Sequence, residues 1–389
     1  LVDFGHKSGL DFGAASFPGI AGDGWRGFLG RPAIEGAAPG WQASHAGKTI
    51  LVAGAGGSIG SHLARSLLAA KPHTLVLLDR GEHNLYEIHA ELSAAGRGNV
   101  IAALADIGDE AALEELFGKY PPDLIYQAAA FKQVPMLESN PLAALRNNAL
   151  GTWVLAKTAA RHRVPELVAL STDKAANPRS VLGASKRIAE LVLLASSGPR
   201  TRMNSLRLGN VLGSRGSVVP LFLRQIARGG PVTVTHPDVC RYFLTLDEAV
   251  ELLLAVAARP EGGRLFAPEL GEPIPVARLA EFLIRRAGRA SGQEVSIAMT
   301  GLRPGDKLSE DLISSRESRA EPVNRWLYRV ATPALPAAEL TEALTDLRQS
   351  VEGRDGAAAL ETVCRIVPEF QPSAELRQSL AAPGAEVRA

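Results

Sequence analysis

Ile50-Leu51-Val52-Ala53-Gly54-Ala55-Gly56-Gly57-Ser58-Ile59-Gly60 joins a short apolar run to the start of a helical pattern. A tight turn there needs a residue without Cβ, and so does a close approach of the backbone to a pyrophosphate. The helix that follows offers free N–H groups and the positive end of its dipole to an anion. Gly54, Gly57, Ser58, Ile59 and Gly60 are therefore the candidate cradle of a dinucleotide. Glycine spacing alone is a weak signal. The strand before it, the helix after it and a carboxylate, Asp79, at the end of the next strand make it strong.

Asp79 is suited to accept from the adenosine ribose hydroxyls, which favours NAD over NADP, although Arg80 directly after it would suit a 2′-phosphate. Asp106 and Ile107 follow the third strand. Asp106 can hydrogen-bond an adenine or serve as a carboxylate leading into a helix. Ala128, Ala129 and Ala130 after the fourth strand supply small side chains where a dinucleotide must lie flat across the sheet end. Lys132, just beyond, is in reach of cofactor or substrate.

Outward from this turn, apolar runs at 50–53, 75–78, 100–104, 124–126, 167–170 and 205–208 alternate with helical stretches at 59–70, 83–95, 109–118, 141–162 and 181–196. Such alternation predicts an α/β fold, a doubly wound parallel sheet. After Leu208 the pattern loosens into a Gly- and Ser-rich loop, short strands and helices at 246–257 and 276–286. The expected organisation is a leader arm at 1–47 with at most a short helix near 24–29, a nucleotide-binding domain at 48–208, a smaller substrate lobe at 209–322 partly interleaved with it, and a helical tail at 323–389.

The 389 residues carry 42 Lys+Arg against 41 Asp+Glu, so no basic field marks a nucleic-acid or membrane surface. Two cysteines, Cys240 and Cys364, lie far apart, which disfavours disulfides and zinc sites and fits a reducing cytoplasm. The eight histidines show no metal-ligand spacing. No apolar run is long enough to span a membrane. The first residue is Leu rather than Met. The chain thus reads as a piece of a longer protein or as one with an unusual start, and an upstream membrane segment would place it at the cytoplasmic face.

Chemistry concentrates in Ser171–Lys186, STDKAANPRSVLGASK, where a hydroxyl, a carboxylate and two ammonium groups follow an apolar run. This segment, with Gly54–Gly60, Ala128–Pro135, Asn148–Thr152, "RLGNVLGSRGSVVPLF" at 207–222, "GGPVTVTHPD" at 229–238 and "RPGDKL" at 303–308, resembles the extended short-chain dehydrogenases that act on nucleotide sugars. More narrowly, it is similar to the polysaccharide-biosynthesis branch that contains UDP-N-acetylglucosamine 4,6-dehydratases. The likeness runs from about Gly30 to about Pro372, including "FLGRP" before the domain and "VPEF" near the end.

The resemblance implies an NAD-dependent hydro-lyase with a UDP-sugar substrate, working as a homo-oligomer. Asp173 would be the acid for O-6 and Lys174 the base at C-5. Thr172 would lie near O-4, and Lys186 would hold the nicotinamide ribose. A base lysine needs a lowered pKa and an acid aspartate a raised one. Asn148 would face the cofactor. On the substrate side, Asn210, Arg215, Ser217 and Val218 would meet sugar or phosphate, with Arg207 nearby. Thr233 and Val234 would meet the uracil through their backbone, Arg241 and Arg303 the diphosphate, and Asp306 the ribose. Met136 and Leu137 would line or underlie the sugar site, and His236 is read as a loop residue.

Four positions depart from the branch: Gln127 for His, Asp306 for Glu, Ser309 for an aromatic and Leu182 for Met or Tyr. Leu182 cannot move a proton. The O-4 proton then has three acceptors open to it: Asp173, Thr172 through a water, or solvent. The rival readings are a nucleotide-sugar epimerase of the same branch and a cofactor-binding scaffold without catalysis.

Overall fold

The computed structural model describes residues 23–96, 99–291 and 295–381. Its first elements are helices α1 (Asp23–Leu29) and α2 (Trp41–His45). The nucleotide-binding half follows as β1 (Thr49–Ala53), α3 (Ser58–Leu68), β2 (Thr74–Asp79), α4 (Glu82–Ala94), β3 (Asn99–Leu104), α5 (Glu110–Lys119) and β4 (Leu124–Gln127). Then come α6 (Val134–Glu138), α7 (Pro141–Ala144), α8 (Gly151–Arg161), β5 (Glu166–Thr172), α9 (Val181–Ser196) and β6 (Arg202–Leu208). The rest comprises β7 (Asn210–Val211), α10 (Val218–Ala227), β8 (Val232–Val234), β9 (Cys240–Arg241), β10 (Phe243–Leu244), α11 (Leu246–Ala257), β11 (Arg264–Pro268), β12 (Ile274–Pro275), α12 (Val276–Ser291), β13 (Ile297–Met299), β14 (Ser318–Asn324), β15 (Leu327–Ala331), α13 (Ala337–Glu352), α14 (Gly356–Ile366) and α15 (Ala374–Ala381).

One nine-stranded sheet runs β14-β15-β11-β6-β5-β4-β1-β2-β3. The strands from β3 to β11 are parallel, and β15 and β14 add to the edge antiparallel. The central strands are buried on both faces, which is why they read as unbroken apolar runs rather than alternating ones. From β1 the chain winds outward to β3, then returns to β4 on the other side of β1. That reversal opens a crevice at the carboxyl ends of β1 and β4, the usual place for a ligand in such sheets.

Three differences from the sequence reading have non-local causes. The strand at 264–268, assigned to the substrate lobe, pairs parallel with β6 inside the main sheet. The tail from 323 is not wholly helical, because β15 pairs with β11 before α13–α15 begin. The leader beyond residue 22 is not a loose arm. Trp25 and Phe28 pack on Phe282, and Phe28 also on Phe243, in the lobe's core, while Ile34, Ala37 and Ala38 join the core of the sheet. Between them, Arg31 makes a two-pronged pair with Glu248 of α11 at 2.6 and 2.9 Å. The described leader thus ties lobe to sheet; its first 22 residues lie outside the described part.

The helix expected at 141–162 forms with one wide turn. Leu145–Leu150 adopt i→i+5 bonding between α7 and α8, an insertion often found at functional sites.

Candidate active site

The chemistry-bearing segment sits at the mouth of the crevice because β5 ends at Thr172 and turns at once into a short 3-10 helix, Asp173–Ala175. Asp173 is fully buried. Its Oδ1 accepts hydrogen bonds from Thr172 Oγ1 at 3.0 Å and from Lys174 Nζ at 2.9 Å, while Oδ2 has no partner among the described residues. Lys174 Nζ also donates to Asn210 Oδ1 at 3.2 Å and lies 3.7 Å from Glu310 Oε1. A Cβ on Gly183 would lie 2.1 Å from the Lys174 carbonyl, so the glycine is what lets α9 lie against this turn.

The charge on Lys174 differs from the expectation of a lowered pKa. Burial does pull it down, but the Asp173 and Glu310 carboxylates outweigh burial and the nearby Arg241, and the net shift is upward. Lys174 is therefore an ammonium in the resting site. Lys186, one turn beyond Leu182 on α9, shifts the other way. Burial lowers it to about 8, against the opposing pull of Glu190. Leu182 is buried in the core between α9 and its neighbours, so its position is a packing position.

Behind Lys186 lies a buried ion cluster. Arg207, fully buried, makes paired bonds to Glu190 at 2.8 and 2.7 Å and to Glu317 at 2.7 and 3.0 Å. Arg187 adds bonds to Glu190 and Glu369, and Ser171 Oγ donates to Glu190 at 2.6 Å. Burial pushes the Glu317 carboxyl up, but the two guanidinium groups and the Ser314 N–H hold it down at about 2. Arg207, placed beside the substrate loop by sequence, is thus a core residue that ties β6 to α9.

On the nucleotide side, the turn after β1 is a built cradle. A side chain at Gly54 (φ +78°) would sit 2.6 Å from the Ala129 backbone, and one at Gly60 2.0 Å from the Gly54 carbonyl. No side chain caps α3 at Gly57, so its first N–H groups, including those of Ser58, Ile59 and Gly60, are offered to a ligand. A cavity of about 130 Å³ runs along this edge, lined by Gly54, Gly57, Asp79, Arg80, Asp106, Ile107 and Ala128–Ala130. Asp79 is held by the N–H groups of Gly56 at 2.9 Å and Gly81 at 2.8 Å. Arg80 faces Asp106 at 3.2 Å and lies over the Phe131 ring. Small residues, free helix N–H groups and a fixed carboxylate fit a dinucleotide lacking a 2′-phosphate.

Asn148 is otherwise engaged. Its amide bonds the Phe131 backbone and Ser185 Oγ, bracing the loop after β4 against α9. Gln127 does similar work, donating to Ala129 O and Thr152 Oγ1. Lys132 is exposed on the loop that follows.

The substrate side departs most from the sequence reading. Arg215 lies on the nucleotide turn, donating to Gly56 O at 3.3 Å and Asn84 Oδ1 at 2.8 Å, while its N–H reaches Ser58 Oγ. Arg241 is buried, and its fork is taken by the carbonyls of Cys240, Lys307 and Leu308. Thr233 N–H and hydroxyl are both bonded to Gln225, and the Val234 carbonyl accepts from Thr300 N, so β8 has these groups engaged within the protein. Arg303 and Asp306 close on each other at 2.9 Å. Ser217 differs: its buried Oγ has no partner among the described residues, at the start of α10 where Val218 opens the helix. Leu137 is core, Met136 is exposed, and His236 accepts from Asp238 N within its loop.

Sequence reasoning missed Glu190, Glu310 and Glu317. Glu310 and Glu317 lie in polar stretches, whereas Glu190 is the lone carboxylate of an apolar helical run at 188–195, a pattern that marks a buried charge. Glu310, three residues past "RPGDK", and Glu190, four past Lys186, both lay near segments already singled out.

Residues 50–332 match the family described as polysaccharide biosynthesis protein. The chain is 44% identical to the capsular polysaccharide biosynthesis protein CapD of Staphylococcus aureus over 72% of this chain and 48% of that one. It thus spans about half the length of that relative. It is 31% identical to an inverting UDP-N-acetylglucosamine 4,6-dehydratase of Campylobacter jejuni, over 70% of this chain and 79% of that one. Among solved structures, Pen from Bacillus thuringiensis superposes with a TM-score of 0.69 at 26% identity, covering 77% of this chain and 98% of that one. DesIV, a dTDP-glucose 4,6-dehydratase from Streptomyces venezuelae with NAD bound, shares the fold at a TM-score of 0.59 and 22% identity, over 68% of this chain and 88% of that one. The chain belongs to the polysaccharide biosynthesis protein family.

Proposed function

We propose that the chain is a nucleotide-sugar 4,6-dehydratase. It converts a UDP-N-acetylhexosamine, UDP-N-acetylglucosamine foremost, to a 4-keto-6-deoxy sugar for surface polysaccharide. The observation that carries this reading is the mutually bonded Thr172–Asp173–Lys174 cluster, with Asp173 buried, at the carboxyl end of β5 beside β4, whose following loop lines the nucleotide cavity. The Campylobacter relative's activity supports the choice of reaction and sugar. Bound NAD would supply a hydride acceptor for C-4 and a hydride donor for C-6.

The chain's own residues handle three protons. The O-4 proton passes to Thr172 Oγ1 as that hydroxyl hands its own to Asp173 Oδ1, 3.0 Å away. Asp173, now neutral, protonates the departing 6-hydroxyl. The proton taken from O-4 therefore leaves in the water, and Asp173 returns to its starting state. This route needs nothing from residue 182, which suits a leucine there. At C-5, Lys174 takes the hydrogen made acidic by the 4-ketone and later restores a proton to the same carbon. It must first shed its resting proton to solvent and regain one from solvent when the cycle ends. Neutralising Asp173 removes the nearer of its two carboxylate neighbours and weakens its hold on that proton.

The deciding experiment incubates the protein with UDP-N-acetylglucosamine and NAD and weighs the product. A nucleotide sugar lighter by one water supports dehydration. An isomer of unchanged mass makes the chain an epimerase, and binding without change makes it a non-catalytic scaffold.

A further inference from the structure

Glu310 is buried, 4% exposed, in the loop that follows the Arg303–Lys307 segment, and it is not needed for any step above. Three cations from three different segments converge on it. Lys174 Nζ stands 3.7 Å from Oε1, Arg241 Nη2 3.8 Å from Oε1, and Lys307 Nζ 3.6 Å from Oε2. Oε2 accepts no hydrogen bond among the described residues. A desolvated carboxylate left short of hydrogen bonds is costly unless its charge does something for its neighbours. The same loop is clasped to the catalytic turn: Lys307 Nζ donates to Ala176 O at 2.8 Å, Asn177 donates to Asp311, and Ser315 N donates to Asn177.

We propose that Glu310 is a positioning residue for Lys174: its carboxylate fixes the ammonium between Asp173 and Asn210 and governs when that ammonium can give up its proton. The idea rests on the dehydratase reading only for Lys174's role, not for the geometry. The charged and titratable groups facing Lys174 are Asp173 on its own turn, Arg241 from β9 and Glu310 from the loop. Lys307 and Asp311 lie behind Glu310, and Tyr242 faces Asp173. Of the two carboxylates at Lys174, Asp173 is neutralised during the proposed cycle. Glu310 is the one whose charge persists, so it sets how readily the amine is restored to an ammonium.

The sign of the effect is fixed. Removing a negative neighbour destabilises the ammonium, so Glu310→Gln lets Lys174 lose its proton at lower pH, by about one pH unit. Removing the cation on the far side, Lys307→Gln, leaves Glu310 less neutralised and moves Lys174 the opposite way. Glu310→Asp keeps the charge and should restore most of the wild-type behaviour.

Two measurements test this. In the pH profile of kcat, the limb that requires a neutral lysine should move down in Glu310→Gln, up in Lys307→Gln, and back in Glu310→Asp. A uniform loss of activity with the limb unmoved would reduce Glu310 to a loop anchor. Independently of activity, ¹³C-methyl signals of the reductively methylated protein, with Lys174 assigned through Lys174→Arg, should show its titration midpoint falling by about one pH unit in Glu310→Gln. An unchanged midpoint overturns the proposal. If the wild type makes no lighter product, the dehydratase reading falls, while the titration still decides the case for Glu310.

Discussion

The two banks of the cleft handle polar groups in opposite ways. At the turn after β1, the groups that would meet a ligand are backbone N–H groups of an uncapped helix, and the glycines around them leave no side chain to compete. On the lobe side, at 232–241 and 303–306, the groups with the right chemistry for a diphosphate, a uracil or a ribose are already bonded to their own protein. On the second bank the residue types suited to a ligand are engaged by the protein itself; on the first, Asp79 is so held while the helix N–H groups are not. An arginine with five donors beside free carbonyls will clasp the chain first.

Asp173 combines both habits: a fixed internal partner through Oδ1 and a buried Oδ2 with no partner among the described residues. Asp173→Asn should cut product formation about a thousandfold with NAD binding retained. Activity within tenfold of wild type would move the acid elsewhere. The nucleotide bank should be intolerant of small changes. Gly54→Ala meets the Ala129 backbone and carries a positive φ, so NAD affinity measured by calorimetry should fall about a hundredfold, roughly 2.7 kcal/mol. Loss under threefold would show that the turn can open.

The opposite bank should respond in stability before affinity. Arg241→Lys gives up hydrogen bonds to the 307–308 backbone and should lower unfolding free energy by about 2 kcal/mol. A raised KM at unchanged stability would return Arg241 to the diphosphate and erase the contrast. Smallest of all, Leu182→Met should change turnover and stability little, with a stability cost below about 1.5 kcal/mol. A manyfold rise with Leu182→Tyr would reinstate a proton carrier at that position.

The sequence displayed what is local. Strand–helix alternation from 49 to 208 is a property of neighbouring residues, and so is the adjacency of Thr172, Asp173 and Lys174. The membership of 264–268 and 327–331 in the main sheet was hidden, because a short apolar run does not say which edge it will join. Trp25 and Phe28 looked like leader residues because their partner, Phe282, lies far along the chain. Glu310 and Glu317 were unreadable for a related reason: a carboxylate in a polar stretch is usually solvated, and only the folded chain brings Lys174 and Arg207 to them. Glu190 was legible in part, as a lone carboxylate in an apolar helix with Arg187 three residues before it.

The ion cluster of Arg187, Arg207, Glu190 and Glu317 has a consequence for ionic strength. Mobile ions screen charges they can approach, over a Debye length of about 8 Å at physiological salt, but they do not enter a packed core. Surface pairs such as Arg65–Glu91 and Arg319–Glu269 will weaken as salt rises, at little cost to the fold. The knot beneath Lys186 will not feel it. Concentrated salt should therefore act on this protein as a competitor for anionic ligands rather than as a denaturant.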